Sequence, residues 1–194
     1  TYMDGTTDIT RTYPLGELTE DEKRFYTWTL QSHIDLAKAV WLDYCECKMI
    51  DTIAREPLWR HLINYRCGTG HSVSFVGNVH EGPHALNSRN TTRMRPGMVV
   101  TDEPGVYETD LVGIRIENEL VCIHKADNQY GTFLGFEPLT FVPIATSPIL
   151  PGVLDKDELA WLNDYHRQVF AKLAPHLNAE ERVWLAEKCA SIGC

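Results

Sequence analysis

Two glutamates fall in runs that read as buried strands. Glu103 lies in Thr101-Asp102-Glu103-Pro104-Gly105-Val106-Tyr107 and Glu117 in Gly113-Ile114-Arg115-Ile116-Glu117-Asn118-Glu119, each surrounded by β-branched and apolar residues. An unpaired carboxylate in such a place costs several kcal/mol or takes up a proton, so a cationic partner is expected. Upstream, His71 follows Cys67-Gly68-Thr69-Gly70, His80 lies in Asn78-Val79-His80-Glu81-Gly82-Pro83, and Asp8 is flanked by strand-favouring residues in Gly5-Thr6-Thr7-Asp8-Ile9-Thr10-Arg11-Thr12. Three carboxylates and one imidazole, from Asp8, His71, Glu103 and Glu117, make an oxygen-rich donor set suited to a divalent metal. Taken singly, each has a plainer alternative: a strand carboxylate paired with arginine, or a histidine satisfied inside a core.

The elements that must position these groups can be read from periodicity and punctuation. Residues 6 to 13 read as a strand ending at Pro14, and Leu15 to Leu18 as a turn. Thr19-Glu20-Asp21-Glu22 is a capping box with acids on the first turn, and behind it Phe25, Trp28, Ile34, Leu36, Ala37 and Val40 recur at helical spacing. A second helix is expected from about Met49 to Leu62, with a kink or break at Pro57. Gly68 and Gly70 mark either a close approach of two backbones or a tight turn, and no lysine-bearing phosphate loop or GxGxxG accompanies them. Residues 87 to 97 form a polar loop closed by Pro96-Gly97. Strands follow at about 98–103, 114–123 and 133–142, with a turn at Asp127-Asn128-Gln129. After a linker at Pro148, Pro151 and Gly152, a helix opens between Asp155 and Glu158 and carries Leu159, Leu162, Val169, Phe170 and Leu173 on one face. Asn178 caps a last helix running to about Ala190.

A chain of 194 residues, 43% hydrophobic and 23% charged, has ordinary globular composition and length enough to bury a core. A net charge of −9 argues against a nucleic-acid partner, because no basic patch is left over to neutralise phosphates. The six cysteines, Cys45, Cys47, Cys67, Cys122, Cys189 and Cys194, show neither paired CxxC spacing nor the density of a disulfide scaffold, which suits reduced thiols in a cytoplasm. Cys45-Glu46-Cys47 follows a helical pattern. No apolar run is long enough for a membrane span, and no charged-then-apolar leader is present. The sequence starts at Thr1 inside a motif and without methionine, and reads as a piece of something longer.

Six ordered motifs carry a resemblance: Gly-Thr-Thr-Asp-Ile-Thr-Arg-Thr, Gly-Thr-Gly-His, Asn-Val-His-Glu-Gly-Pro, Thr-Asp-Glu-Pro-Gly, Gly-Ile-Arg-Ile-Glu-Asn and Phe136-Glu137-Pro138-Leu139-Thr140. Together they resemble the Xaa-Pro aminopeptidases (aminopeptidase P), most of all the three-domain type with a C-terminal helical extension. The resemblance implies an α+β, partial pita-bread fold over residues 1–145, lacking its N-terminal portion, and a helical extension over 146–194. It implies that Asp8 and Glu117 bridge two metals, that His71 and Glu103 ligate one of them, and that Arg115 pairs with a ligand carboxylate. His80 is expected beside the substrate and Tyr107 near the site.

The activity implied is release of the residue before proline from peptides with proline second. The resemblance implies two ions that would share a hydroxide and polarise the scissile carbonyl. Manganese is the expected ion, with zinc or cobalt able to replace it, and a homodimer is expected of the full-length protein. A further family aspartate would fall ahead of Thr1, so this chain is expected to hold a single tight ion. Cys67 stands where the family has a histidine, and Ser72 and Ser74 replace glycines. That leaves a second expectation, a non-catalytic pita-bread relative acting as a binding module.

Overall fold

The computed structural model describes residues 1–193, which form helices α1 (Glu20–Ala37), α2 (Cys47–Trp59), α3 (Lys156–Leu173) and α4 (Ala179–Lys188) with eight strands between the second and third helix or flanking α2. The strands are β1 (Val40–Leu42), β2 (Gly70–Ser72), β3 (Glu81–Leu86), β4 (Val99–Asp102), β5 (Gly105–Glu108), β6 (Val112–Arg115), β7 (Asn118–Asn128) and β8 (Gly131–Pro138). An antiparallel sheet of order β1-β8-β7-β4 forms the frame, and the pairs β2-β3 and β5-β6 attach to it. Among the described residues no helix is long and apolar enough to cross a membrane.

Local chemistry explains the helix ends. Thr19 and Glu22 close a capping box on α1, Asp155 and Glu158 on α3, and Asn178 and Glu181 on α4, so on each helix the N–H groups of the cap and of the third helical residue are satisfied by local side chains. One apolar cluster joins α1 and α2 to the sheet through Leu36, Ile50, Ala54, Val100, Leu120 and Phe136. A second joins α1 to β6, α3 and α4 through Leu30, Ile34, Ile114, Leu162, Val169 and Leu185. Helices α3 and α4 therefore share a core with α1 and β6.

Several sequence-based expectations are corrected. Residues 6–13 do not form a ladder strand: they are extended, with one backbone bridge at Thr10 to Glu117, and side chains supply the rest of the pairing. Thr12 Oγ1, for example, donates to the Arg115 carbonyl at 2.8 Å. Val40 leaves the helical face, because α1 ends at its Lys38 cap and Val40 pairs instead with Gly135 of β8, 53% exposed. The second helix begins at Cys47, with Glu46 as its cap and Cys45 outside it, and ends at Trp59; Pro57 sits in its last turn, where the helix stops two residues later. The run 103–123 is not one strand after a loop but a hairpin, β5-β6, followed by β7. The hairpin turns at Asp110, whose φ of 59° places a non-glycine residue in the left-handed region. The last strand starts at Gly131 and ends at Pro138, short of 142. Cys45, Cys47, Cys67, Cys122 and Cys189 are free thiols, and Cys194 lies outside the described residues.

Candidate metal centre

Asp8 and Glu117 come together because residues 8–12 are laced to the start of β7. The Asp8 N–H donates to Glu119 Oε1 at 2.7 Å, and Thr10 Oγ1 donates to Glu117 Oε2 at 2.5 Å. Arg11 locks the segment: its guanidinium donates to the carbonyls of Glu117 at 2.6 Å and Val142 at 2.8 Å, to Asn118 Oδ1 at 2.7 Å and to the Tyr165 hydroxyl at 2.9 Å. A planar five-donor group is the one side chain that can hold so many acceptors at once.

His71 reaches the same place from β2. Gly70 has no side chain, and a Cβ there would fall on the Thr101 carbonyl, so only glycine lets β2 lie this close to β4. Two bonds stitch the approach: Glu103 N–H to the Thr69 carbonyl at 2.7 Å, and His71 N–H to Thr101 Oγ1 at 3.0 Å. His71 Nε2 then lies 3.1 Å from Glu103 Oε1 and 3.6 Å from Asp8 Oδ2. Thr101 Oγ1 donates to Glu103 Oε1 at 3.1 Å, and Arg115 NH1 stands 3.2 Å from Glu103 Oε2. Tyr107 lies on β5 with Arg115 above its ring at 5.6 Å, and the exposed His80 meets His71 edge-on with ring centres 4.2 Å apart. All seven residues singled out from the sequence thus share one neighbourhood.

Burial sets the electrostatics. Glu117 is 1% exposed, and its carboxyl is pushed up to about 7, chiefly by burial and further by the Glu103 and Asp8 carboxylates, against the pull of the Thr10 hydrogen bond. Its Oε1 is buried with no hydrogen-bond partner. Burial pulls the His71 imidazole down, but the Glu103 hydrogen bond, the Ser72 carbonyl and the nearby carboxylates outweigh it and raise it overall. Behind Glu103, Asp102 is pushed up to about 6 by burial, with His33 Nδ1 3.1 Å from its Oδ2.

The donors fit a divalent cation. A buried acceptor without a donor, two further carboxylates and an imidazole share a space in which Arg115 supplies a guanidinium close to Glu103, and hard oxygen-rich sets of this kind suit divalent ions. Among the described residues no three of these side chains close into a ready-made cage. His71, Glu103 and Asp8 are instead drawn onto one another, as like-sited acids and a protonatable imidazole are.

Four residues that shape this centre were not singled out from the sequence: Thr10, Arg11, Thr101 and Glu119. The usable signal was alternation, since Thr10 stands two residues from Asp8, Thr101 two from Glu103 and Glu119 two from Glu117, each pair on one side of an extended chain.

The architecture has close counterparts among solved structures. An X-prolyl aminopeptidase from Caenorhabditis elegans, described as a cytosolic enzyme with a di-nuclear active site, superposes with a TM-score of 0.92 at 38% identity, covering 98% of this chain and 32% of that one. A prolidase from Pyrococcus furiosus superposes with a TM-score of 0.62 at 28% identity over 73% of this chain and 39% of its own. The fold is part of a pita-bread fold. Residues 1–124 match metallopeptidase family M24, and residues 132–192 match the C-terminal region of peptidase M24. The chain belongs to metallopeptidase family M24.

Among curated relatives, aminopeptidase P1 of Lotus japonicus is 41% identical over 198 residues, which is 99% of this chain and 30% of that protein. Aminopeptidase P2 of Arabidopsis thaliana is 44% identical over 191 residues, 95% of this chain and 27% of that protein. The chain spans less than a third of the length of these two relatives.

Proposed function

We propose that this chain is the metal-site portion of an aminopeptidase that releases the first residue from peptides with proline in second position. Asp8, His71, Glu103 and Glu117 hold divalent metal, manganese by preference, and His80, Arg115 and Tyr107 serve the substrate side. Residues 1–145 carry the site and residues 146–194 brace it. The cytosolic C. elegans counterpart supports a cytoplasmic setting, and a homodimer is proposed for the whole protein.

The observation that carries this reading is the orphaned, 1% exposed Glu117 Oε1 beside Asp8 and Glu103. When bound, divalent ions supply an activated water and polarise the substrate carbonyl. The chain does the rest. Arg115 and Thr101 contact opposite oxygens of Glu103, and in this reading the Glu103 carboxylate takes a proton from the attacking water and returns it to the prolyl nitrogen. That nitrogen carries no hydrogen in the intact bond, so it has to receive one as it leaves. His80 is edge-on to His71 and open to solvent, and in this reading it donates from a ring nitrogen to the carbonyl oxygen.

Metal content after manganese loading tests the assignment separately from turnover. Changing the hydrogen-bonding partners around a metal already costs roughly 10–100-fold in affinity, so Glu117→Gln, which removes a ligand charge, is expected to lose at least that. Unchanged metal content in E117Q removes Glu117 from the centre. Hydrolysis of an Ala-Pro peptide but not its Ala-Ala counterpart, by the protein that contains this chain, is the expected activity.

A second reading, a binding module without turnover, is favoured by one observation: the Cys67 thiol, pushed up mainly by burial, lies against Arg115 beside Glu103. Metal binding with no hydrolysis of either peptide would select it.

A further inference from the structure

A cavity of about 620 Å³ opens between the end of α2 and the loop that follows β3. Its floor is Arg55, buried and already committed: it donates to Asp51 Oδ2 at 2.8 Å, to the Tyr65 carbonyl at 2.8 Å and to the Cys67 carbonyl at 2.9 Å. Its walls are Trp59, Asn64, Arg66, Asn87, Ser88 and Arg89. No carboxylate lines it, although the chain carries a net charge of −9.

Among the described residues, four of the wall side chains, Arg66, Arg89, Asn64 and Asn87, keep donors that no protein acceptor takes up. Among the described residues, the arginine ion pairs use Arg24, Arg55, Arg60, Arg115 and Arg167, and leave the exposed Arg66 and Arg89 without a carboxylate. Asn64 Oδ1 accepts from Trp59 Nε1 at 3.1 Å and Arg55 NH1 at 3.4 Å. Asn87 Oδ1 accepts the N–H groups of Arg89 at 3.0 Å and Asn90 at 3.1 Å. With both amide oxygens spent, the two NH₂ groups are what these side chains have left to offer. Two unpaired guanidiniums and two amide donors around one cavity recognise an anion, and a planar carboxylate matches the guanidinium fork.

We propose that this cavity is a subsite for the carboxylate of a peptide, the free C-terminus in particular. Its position favours that source. Cys67 lines the cavity, and its thiol also lies 3.9 Å from the Gly105 carbonyl and within reach of Arg115, so the cavity adjoins the centre that holds Glu103 and Tyr107. A peptide held by its amino end at that centre would extend its acidic end towards Arg66 and Arg89, while the acidic surface elsewhere repels it. The link to a bound substrate rests on the aminopeptidase reading; carboxylate recognition by the cavity does not.

The test is a nuclear magnetic resonance titration of the 194-residue chain, following arginine Nε–H and asparagine NH₂ signals. Acetyl-triglycine is added as the free acid, as the amide, and as an acetyl-Gly-Glu-Gly amide, with inorganic phosphate as a fourth ligand. Acetylation blocks the amino end, so the outcome is independent of any peptidase chemistry. The free acid is expected to shift the signals of Arg66, Arg89, Asn64 and Asn87 while its amide leaves them in place. About 0.5 M salt, where screening acts over a few ångströms, should abolish the shift. The doubly substituted Arg66→Gln, Arg89→Gln chain, altered only at exposed positions, should bind roughly tenfold or more weakly, because each charge-assisted pair is about twice as strong as a neutral one.

Equal shifts with acid and amide, or no loss in the double variant, overturn the proposal. Preferential binding of the glutamyl amide moves the source to an acidic side chain and overturns the C-terminal assignment, and tighter binding of phosphate overturns the carboxylate assignment altogether. Should the Xaa-Pro reading fail instead, an Ala-Pro peptide acid would still shift Arg66 and Arg89 but leave His71 and His80 unmoved.

Discussion

Replacing Gly70 by alanine should be among the most damaging one-carbon changes in this chain. The added Cβ would coincide with the Thr101 carbonyl, and its next neighbour, Thr101 Oγ1, would be 3.2 Å away. Both obstacles belong to β4, whose backbone is fixed by pairing with β7 from Val99 to Asp102, so β2 has to retreat by more than an ångström. That retreat breaks the Glu103 N–H bond to Thr69 at 2.7 Å and the His71 N–H bond to Thr101 at 3.0 Å. Two buried hydrogen bonds at about 1 kcal/mol each, added to about 1–3 kcal/mol for overpacking, give a loss of roughly 3–5 kcal/mol. For a domain whose whole stability is about 5–15 kcal/mol, urea unfolding would show this as a midpoint lowered by a large fraction. Because His71 and Glu103 move apart, manganese affinity should fall in the same variant. Gly16 is the control, with nothing within 4 Å of an added Cβ, and Gly16→Ala should leave the midpoint in place or raise it slightly. A Gly70→Ala chain that unfolds within about 1 kcal/mol of the parent would refute the close approach on which the centre is built.

His166 is fully buried, accepts the Ile144 N–H on Nε2 at 3.1 Å, and is pulled down from 6.5 to about 4, first by burial and then by Arg11. The unfolded chain therefore binds a proton that the folded chain refuses between those values. The resulting stability is fully present above pH 6.5 and is lost as pH falls towards 4, to a total of about 3 kcal/mol. His166→Gln should remove that part of the acid limb in pH-dependent urea melts; an unchanged limb would show that His166 titrates normally in the fold. Arg11→Lys keeps the charge but cannot span carbonyls at Glu117 and Val142 together with Asn118 and Tyr165, and should cost about 2–4 kcal/mol while loosening Asp8 from the centre. A lysine variant with parental melting and metal content would show that the clamp is dispensable.

Local signals are legible in the sequence. Thr19 with Glu22 and Asn178 with Glu181 announce helix starts because cap and partner lie three residues apart, and no other part of the chain has a vote. The carboxylates proposed as ligands are legible for a related reason: Glu103 and Glu117 stand in apolar runs where a charge demands explanation, and ordered motifs attach an expected chemistry to them.

Tertiary structure decided the rest, wherever the deciding partner was far along the chain. Residues 6–13 have the composition of a strand, but their donors and acceptors are met by Thr10 with Glu117 and Thr12 with Arg115, more than a hundred residues on. Val40 continues the apolar rhythm of α1 and was captured by Gly135 of β8 instead. The turn of the β5-β6 hairpin rests on Asp110 in a conformation that glycine usually marks, and no glycine was there to mark it. Side-chain type and spacing thus determined which acidic and imidazole groups stand as candidates for chemistry. Which oxygen of Glu103 faces His71 and which faces Arg115, and that Glu117 keeps one oxygen unpartnered, depend on strand approach and on the Arg11 clamp, and contacts closed over such distances leave no periodic trace in the sequence.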